Sequence, residues 1–257
     1  MIGAYVINLA SAQPRRQRIS GQLERLGVPF QVFPAVDGRA LTEDEVAQRY
    51  DAAAAAFSYR PMSRGEVGCA LSHLGVYRKM LEDGAEFALV LEDDALLGDD
   101  LPAVLADLQQ HLDPARPDAV LLSHIDKYTR WGTRPLGRDR KLVRRYGEWW
   151  RAHGYVVTRA AAQRLLDGLQ PLWCAADYWS AFEKRGLVSV RAVVPYCIGL
   201  TELADESALE GHRADLDATD KARRSIGYYL RRYVYQRFLF QFLVRPFLRV
   251  ARQKRPG

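Results

Sequence analysis

Ala88-Leu89-Val90-Leu91-Glu92-Asp93-Asp94-Ala95 is an apolar run that breaks directly into three carboxylates. A short run rich in Val and Leu, bounded by polar residues, reads as a strand buried on both faces. One unpaired buried carboxylate is costly, so three at the exit of a strand demand a partner. A hard divalent cation held by oxygen ligands meets that demand and leaves positions for a substrate phosphate. Ligands of open α/β sheets gather outside the carboxyl ends of the strands, where this cluster falls. The alternative is a solvated turn whose acids begin the next helix.

Outward from this strand, the chain alternates strand and helix signals. Ala4–Leu9 reads as a first strand, and Arg15–Leu26 as a helix with Ile19, Leu23 and Leu26 on one side, stopped by Gly27. Phe30–Val36 is a second strand closed by the turn pair Asp37-Gly38. Thr42–Glu45 and Ser63–Glu66 both have the form of a capping box; the second opens the clearest helix, which stops at Gly84. Past the acids come a helix at Leu101–Leu112, a strand at Ala119–Ser123, a strand at His153–Thr158 and a helix at Arg159–Leu169. Ala176–Arg185 is expected to be helical and Val188–Tyr196 to be a last strand. Residues 127–147 are basic and read as a mobile loop or a ragged hairpin. Alternating strands and helices define an α/β sandwich with a mainly parallel sheet.

The 257 residues, 48% of them hydrophobic, suffice for one large core or a core with an appendage. Tyr5-Val6-Ile7 is too short for a signal-peptide core and lacks a basic lead, and no stretch approaches the roughly 18 apolar residues of a membrane span. Cys69, Cys174 and Cys197 are odd in number and unclustered in sequence, which suits reduced thiols in a cytosolic protein. The net charge of +6 hides an asymmetry: positions 221–257 hold 11 Lys and Arg and no acid, leaving 26 basic and 31 acidic residues in positions 1–220. A basic tail on an acidic body suggests a tail with a partner of its own.

Met62-Ser63-Arg64-Gly65-Glu66-Val67-Gly68-Cys69-Ala70-Leu71-Ser72-His73, followed by Leu89–Asp94, resembles glycosyltransferase family 25. That family holds bacterial lipooligosaccharide galactosyltransferases and collagen galactosyltransferases. Val6–Leu9 with Arg15-Arg16, Ala35–Gly38 and His153–Val157 resemble it too, in order, over about residues 3–200. Ala176-Asp177-Tyr178-Trp179 only approximates the family's later acidic site. The resemblance implies a GT-A-type, Rossmann-like fold, a nucleotide-sugar donor such as UDP-galactose, and Mn²⁺ or Mg²⁺.

Transfer from a nucleoside diphosphate sugar requires the leaving diphosphate to be neutralised and the acceptor hydroxyl to lose a proton. Glu92 and Asp94 share a face if the strand continues and are the expected metal ligands, with Asp93 turned away or toward the ribose. Glu66, Ala70, His73 and Tyr77 fall on one helix face, which makes Glu66 and His73 catalytic candidates on a pocket wall. A core histidine and a plain capping Glu are the alternatives. Asn8, Arg16, Asp37 and Gly38 lie where a nucleotide-binding sheet receives base, ribose and phosphate; a solvated helix charge is the alternative for Arg16. Asp177, among Trp173, Tyr178 and Trp179, is the candidate acceptor base, and Trp149 and Trp150 are candidate sugar platforms, unless these aromatics are core.

In the tail, Arg237, Gln241, Arg245, Arg249 and Arg252 stack on one helical face, with Phe238, Leu239, Phe242, Leu243, Phe247 and Leu248 over much of the rest. The expected division is therefore residues 1–220 as the transferase domain and 221–257 as a basic amphipathic helical tail lying on an anionic membrane surface through residues 221–254. If about half the basic residues reach the leaflet, ~5 kcal/mol of attraction suits reversible attachment. Packing of this face on the protein itself, or on a second subunit, is the alternative. The expected protein is thus a cytoplasmic enzyme at the inner face of a bacterial membrane, moving a hexose from a UDP-sugar to a lipid-linked oligosaccharide. A non-catalytic scaffold and a nucleic-acid binder are the competing classes; the acidic body opposes the latter.

Overall fold

The computed structural model describes residues 2–58, 60–200 and 250–253. Its frame is a nine-stranded sheet. Strand β1 (Gly3–Asn8) lies between β2 (Phe30–Pro34) and β3 (Phe87–Glu92), parallel to both. The order continues through β8 (Gly154–Thr158), β5 (Asp118–Leu121), β9 (Ser189–Val194), β7 (Arg140–Arg145) and β6 (Lys127–Leu136). The far edge is β11 (Val250–Arg252), and β4 (Ala95–Leu97) forms a separate pair with β10 (Ile198–Leu200). The sheet is mixed: β1, β2, β3, β5, β6 and β9 run one way, and β7, β8 and β11 run against them. The α/β sandwich with a prevailing strand direction is as the sequence suggests.

Alternation along β3 divides the core. Ala88 and Val90 face one apolar layer with α4 (Arg64–Glu82), α6 (Arg159–Gly168) and α7 (Trp179–Lys184). Leu89 and Leu91 face the other, with α1 (Gln13–Leu26) and α5 (Leu101–His111). Ala88 through Leu91 are all fully buried, as a strand apolar on both faces requires. Local signals set the helix ends. Ser63 and Glu66 form the expected capping box on α4, Thr42 and Glu45 form one on α2 (Glu43–Arg49), and Gly27 ends α1 in the left-handed conformation at φ 64°.

Of the two readings of residues 127–147 the ragged hairpin holds, and one expectation, for the end of the tail, is corrected. The basic stretch 127–147 is an ordered hairpin built into the main sheet, with a register irregularity between Thr129 and Arg134 that breaks the two-residue alternation a reader would look for. The alanine run Ala52–Ala56 belongs to a helix, α3 (Ala52–Ser58), closed by Phe57 and Ser58. Residues 250–252 do not belong to a helical tail: they pair antiparallel with β6, placing Ala251 against Tyr128 and burying it. Arg252 therefore leaves the proposed stripe of Arg237, Gln241, Arg245 and Arg249, while residues 221–249 lie outside the described residues.

Candidate active site

The carboxyl ends of β1 and β3 open into a cleft of about 700 Å³. Its lining includes Arg15 from α1, Asp37 and Gly38 from the loop after β2, Cys69 from α4, and Glu92 and Asp93 from the exit of β3. β3 ends at Glu92 and the chain turns at Asp93 and Asp94, so the three acids fan out instead of alternating along a continued strand.

Each acid has a different neighbour. Asp93 points to the α1 side: Asn8 Nδ2 donates to its Oδ2 at 2.7 Å, and Arg15 Nη1 to its Oδ1 at 3.4 Å. Burial nonetheless holds its proton affinity above the usual carboxylate range, with Asn8 and Arg15 opposing. Glu92 points to the α4 side, with Oε1 3.4 Å from His73 Nε2. Asp94 is only 8% exposed, and its Oδ1 makes no hydrogen bond. Burial first, then the charges of Glu92 and Asp93, push the Asp94 carboxyl up to about 7. Crowded carboxylates with one orphaned, buried oxygen suit a divalent cation, and Glu92 and Asp94 are the residues that would hold it.

His73 is 2% exposed and belongs to a buried polar chain. Its Nδ1 lies 2.8 Å from the Tyr155 hydroxyl, which lies 2.6 Å from that of Tyr77. Burial pushes both tyrosine hydroxyls well above their ordinary range, so they act as neutral hydrogen-bonding groups. Behind Glu92, whose N–H donates to the His153 carbonyl at 3.2 Å, the buried His153 imidazole is held neutral, its pKa lowered to about 4 by burial.

Three candidates sit differently from their expected roles. Arg16 is exposed and outside the cleft lining, and Arg15 takes its place. Arg15, Ile19 and Leu23 recur every four residues on the inward face of α1, whereas Arg16 is turned about 100° away. Glu66 is 2% exposed, and its carboxylate is engaged by Arg60 Nη1 and Nη2 at 3.0 and 2.7 Å and by Ser63 N at 2.9 Å. It is a satisfied cap and ion pair, not a group facing the cleft. Gly38 lines the cleft, but its conformation answers to packing: a Cβ there would lie 1.8 Å from the Arg64 carbonyl oxygen, and one on Gly68 2.5 Å from Gly38 N. Asp37 also lines the cleft, lowered in pKa by hydrogen bonds from Arg39.

Asp177 lies apart from the cleft lining, half-buried just before α7. Next to it Tyr178 stacks on Trp150, with ring centroids 4.0 Å apart and planes 7° from parallel. Trp149 is not a platform: it is 2% exposed, with its indole N–H donated to the Lys127 carbonyl. Trp173 and Trp179 are core residues as well. Trp179 packs edge-on against Tyr155, which joins the Asp177 region to the His73 chain. Arg15, Tyr155 and His153 stand in the motifs that carry the family resemblance but are not among the site candidates the sequence offers; counting back by four from Ile19 singles out the first.

The fold is thus an α/β sheet with clustered acids at its strand ends beside an open cleft. The sequence profile of Glycosyltransferase family 25 (LPS biosynthesis protein) matches residues 1–180, and the chain belongs to that family. It is 31% identical over 200 residues to the lacto-N-neotetraose biosynthesis glycosyltransferase LgtB of Neisseria meningitidis serogroup B, covering 71% of this chain and 70% of that protein. It is 27% identical over 168 residues to human procollagen galactosyltransferase 2, covering 63% of this chain but 27% of that protein. A glycosyltransferase 25 family member of Aedes aegypti is 31% identical over 174 residues, again with 27% of its length covered. The solved structure of a glycosyltransferase involved in glycosylation of the major capsid of PBCV-1 aligns with TM-score 0.34 and 11% identity, over 64% of this chain and 62% of that one. Among the described residues no helix is long and apolar enough to cross a membrane.

Proposed function

We propose that this glycosyltransferase moves a hexose, galactose first among candidates, from a UDP-sugar to a saccharide acceptor of lipopolysaccharide or lipooligosaccharide. The crowding of Glu92, Asp93 and Asp94 where β3 leaves the sheet, with Asp94 buried and its Oδ1 making no hydrogen bond, carries this reading. Membership of family 25 and the relation to LgtB favour a saccharide acceptor of that kind. A Mn²⁺ or Mg²⁺ ion held by Glu92 and Asp94 would neutralise the departing diphosphate.

The chain's own groups supply the rest. Asp93, fixed by Asn8 and Arg15, is positioned to accept from ribose hydroxyls, while the Arg15 guanidinium offers charge to a phosphate. Asp37 and the adjoining Arg39 face the same cleft and suit the nucleoside end. Asp177, outside this cleft, is assigned to the acceptor side as base or hydroxyl ligand, and the Trp150–Tyr178 stack offers a flat apolar surface to a sugar ring. The eleven basic residues of the C-terminal segment would attract an anionic leaflet and bring the enzyme to a lipid-linked acceptor.

A panel of UDP-, GDP- and CMP-sugars, assayed for released nucleotide with and without Mn²⁺, tests the reading. Release from UDP-galactose that rises with Mn²⁺ is expected; preferential release from a GDP- or CMP-sugar overturns the donor assignment.

A further inference from the structure

Cys69, His73 and Glu92 bring a sulfur, an imidazole nitrogen and a carboxylate oxygen within 4.8 Å of one another. We propose that these three residues form a second cation site, adjacent to the Glu92–Asp94 pair, which prefers Zn²⁺ to Mn²⁺ or Mg²⁺. Cys69 and His73 stand four residues apart on α4 and so share a face, while Glu92 comes from the end of β3. Both supports are regular elements packed in the core, so the three groups converge without any loop having to order.

The His73–Glu92 separation suits one edge of a tetrahedral ion. With metal–nitrogen and metal–oxygen bonds of about 2.0–2.1 Å, the edge of a tetrahedron is about 3.3–3.4 Å. His73 Nε2 and Glu92 Oε1 are 3.4 Å apart. Yet Nε2 is buried and makes no hydrogen bond, although the ring is 98% shielded from solvent. Its other nitrogen is occupied: with the proton on Nδ1, the ring donates to Tyr155, which in turn donates to Tyr77, and the Nε2 lone pair faces Glu92. Imidazoles that bind metals are oriented in this way, by a partner on the far nitrogen.

Ligand chemistry selects the ion. A thiolate with an imidazole favours Zn²⁺ or Co²⁺, whereas Mn²⁺ and Mg²⁺ prefer oxygen. On binding, Cys69 loses its proton to solvent as the Zn–S bond forms, so one proton is released per ion. Three protein ligands leave a fourth position, and because Cys69 and Glu92 both line the cleft it opens toward bound ligands. A Zn²⁺ ion there engages Glu92, withdrawing it from the oxygen set that would hold Mn²⁺. Zn²⁺ is therefore an antagonist of the donor cation, and the site stands whether or not the cleft takes a nucleotide sugar.

The test is a Co²⁺ titration of the chelator-stripped full chain without any sugar donor. A near-ultraviolet thiolate-to-Co²⁺ charge-transfer band is expected at one equivalent, reversed by Zn²⁺ and unaffected by millimolar Mg²⁺. Cys69→Ser should abolish the band, His73→Gln should weaken Co²⁺ binding at least tenfold, and Asp94→Asn should leave it within twofold. In the unaltered protein, Zn²⁺ should slow alkylation of Cys69 by iodoacetamide, read by peptide mass spectrometry, which needs no variant to fold. Absence of the band, or equal alkylation of Cys69 with and without Zn²⁺, overturns the site. Loss of the band in Asp94→Asn merges the two sites into one and overturns the proposal as well.

Discussion

Two acidic corners of the molecule are built on opposite terms. At the start of α4, Glu66 is almost wholly buried and its oxygens meet Arg60 and the Ser63 N–H. At the end of β3, Glu92, Asp93 and Asp94 crowd together, the Asp94 carboxyl is pushed up to about 7, and Asp94 Oδ1 and His73 Nε2 are buried without hydrogen bonds. A buried charge with its partners in place holds structure together; one held short of partners waits for a ligand. The contrast separates Glu66, a catalytic candidate by sequence, from Glu92, a candidate metal ligand.

The strongest test of the contrast is Asp94→Asn, which keeps shape and removes charge. Transfer should fall by about a thousandfold, ~4 kcal/mol in the barrier, with the fold retained by circular dichroism. Near-normal, Mn²⁺-stimulated turnover would move the ion-binding role elsewhere.

Glu66→Gln should act in the other direction. Leaving Arg60 buried without its anion costs about 3 kcal/mol of stability, measured by urea unfolding, while the folded enzyme keeps its turnover within a few-fold. Lost turnover at unchanged stability would return Glu66 to the catalytic set.

A third prediction concerns pH. Asp94 has a folded pKa raised from 3.8 to about 7, so the metal-free fold binds its proton more tightly than the unfolded chain does. The group therefore costs nothing below pH ~4, and its penalty grows as pH rises toward 7. Each unit corresponds to about 1.4 kcal/mol, so half of the displacement amounts to about 2 kcal/mol. Metal-free Asp94→Asn should match the parent near pH 4 and exceed it by about 2 kcal/mol at pH 8. A stability difference independent of pH would mean that the site does not strain this carboxyl.

The smallest expected effect separates neighbouring arginines. Arg15→Ala should weaken donor binding about tenfold, or ~1.4 kcal/mol, and Arg16→Ala should not change it, as read by calorimetry. Equal effects would mean that the phase of α1 does not select the cleft residue.

Much of the frame was legible because its signals are local. The two-sided burial of Leu89–Leu91, both capping boxes and the Gly27 stop are encoded within a few residues, and the acids follow directly from the strand. What escaped depends on register between distant strands. Tyr155 reaches His73 only because β8 pairs with β3, with Tyr155 opposite Val90. Strand β11 depends on pairing with β6 across more than a hundred residues, while its own three residues resemble the basic sequence before them. Glu66 misled because a helix-face pattern cannot show that Arg60, outside the helix, takes up its charge. Cys69 read as an isolated thiol because helix phase places it beside His73 but says nothing about the approach of β3.

The meeting of Gly38 and Gly68 is a joint with no clearance. Backbone touches backbone there, so no side chain can flex to absorb movement, and the turn bearing Asp37 is registered directly on the helix bearing His73. The wall that would meet a nucleoside and the corner that would meet an ion are consequently one mechanical part. A side chain added at either glycine would have to push the turn and the helix apart, so the two can be reshaped only together.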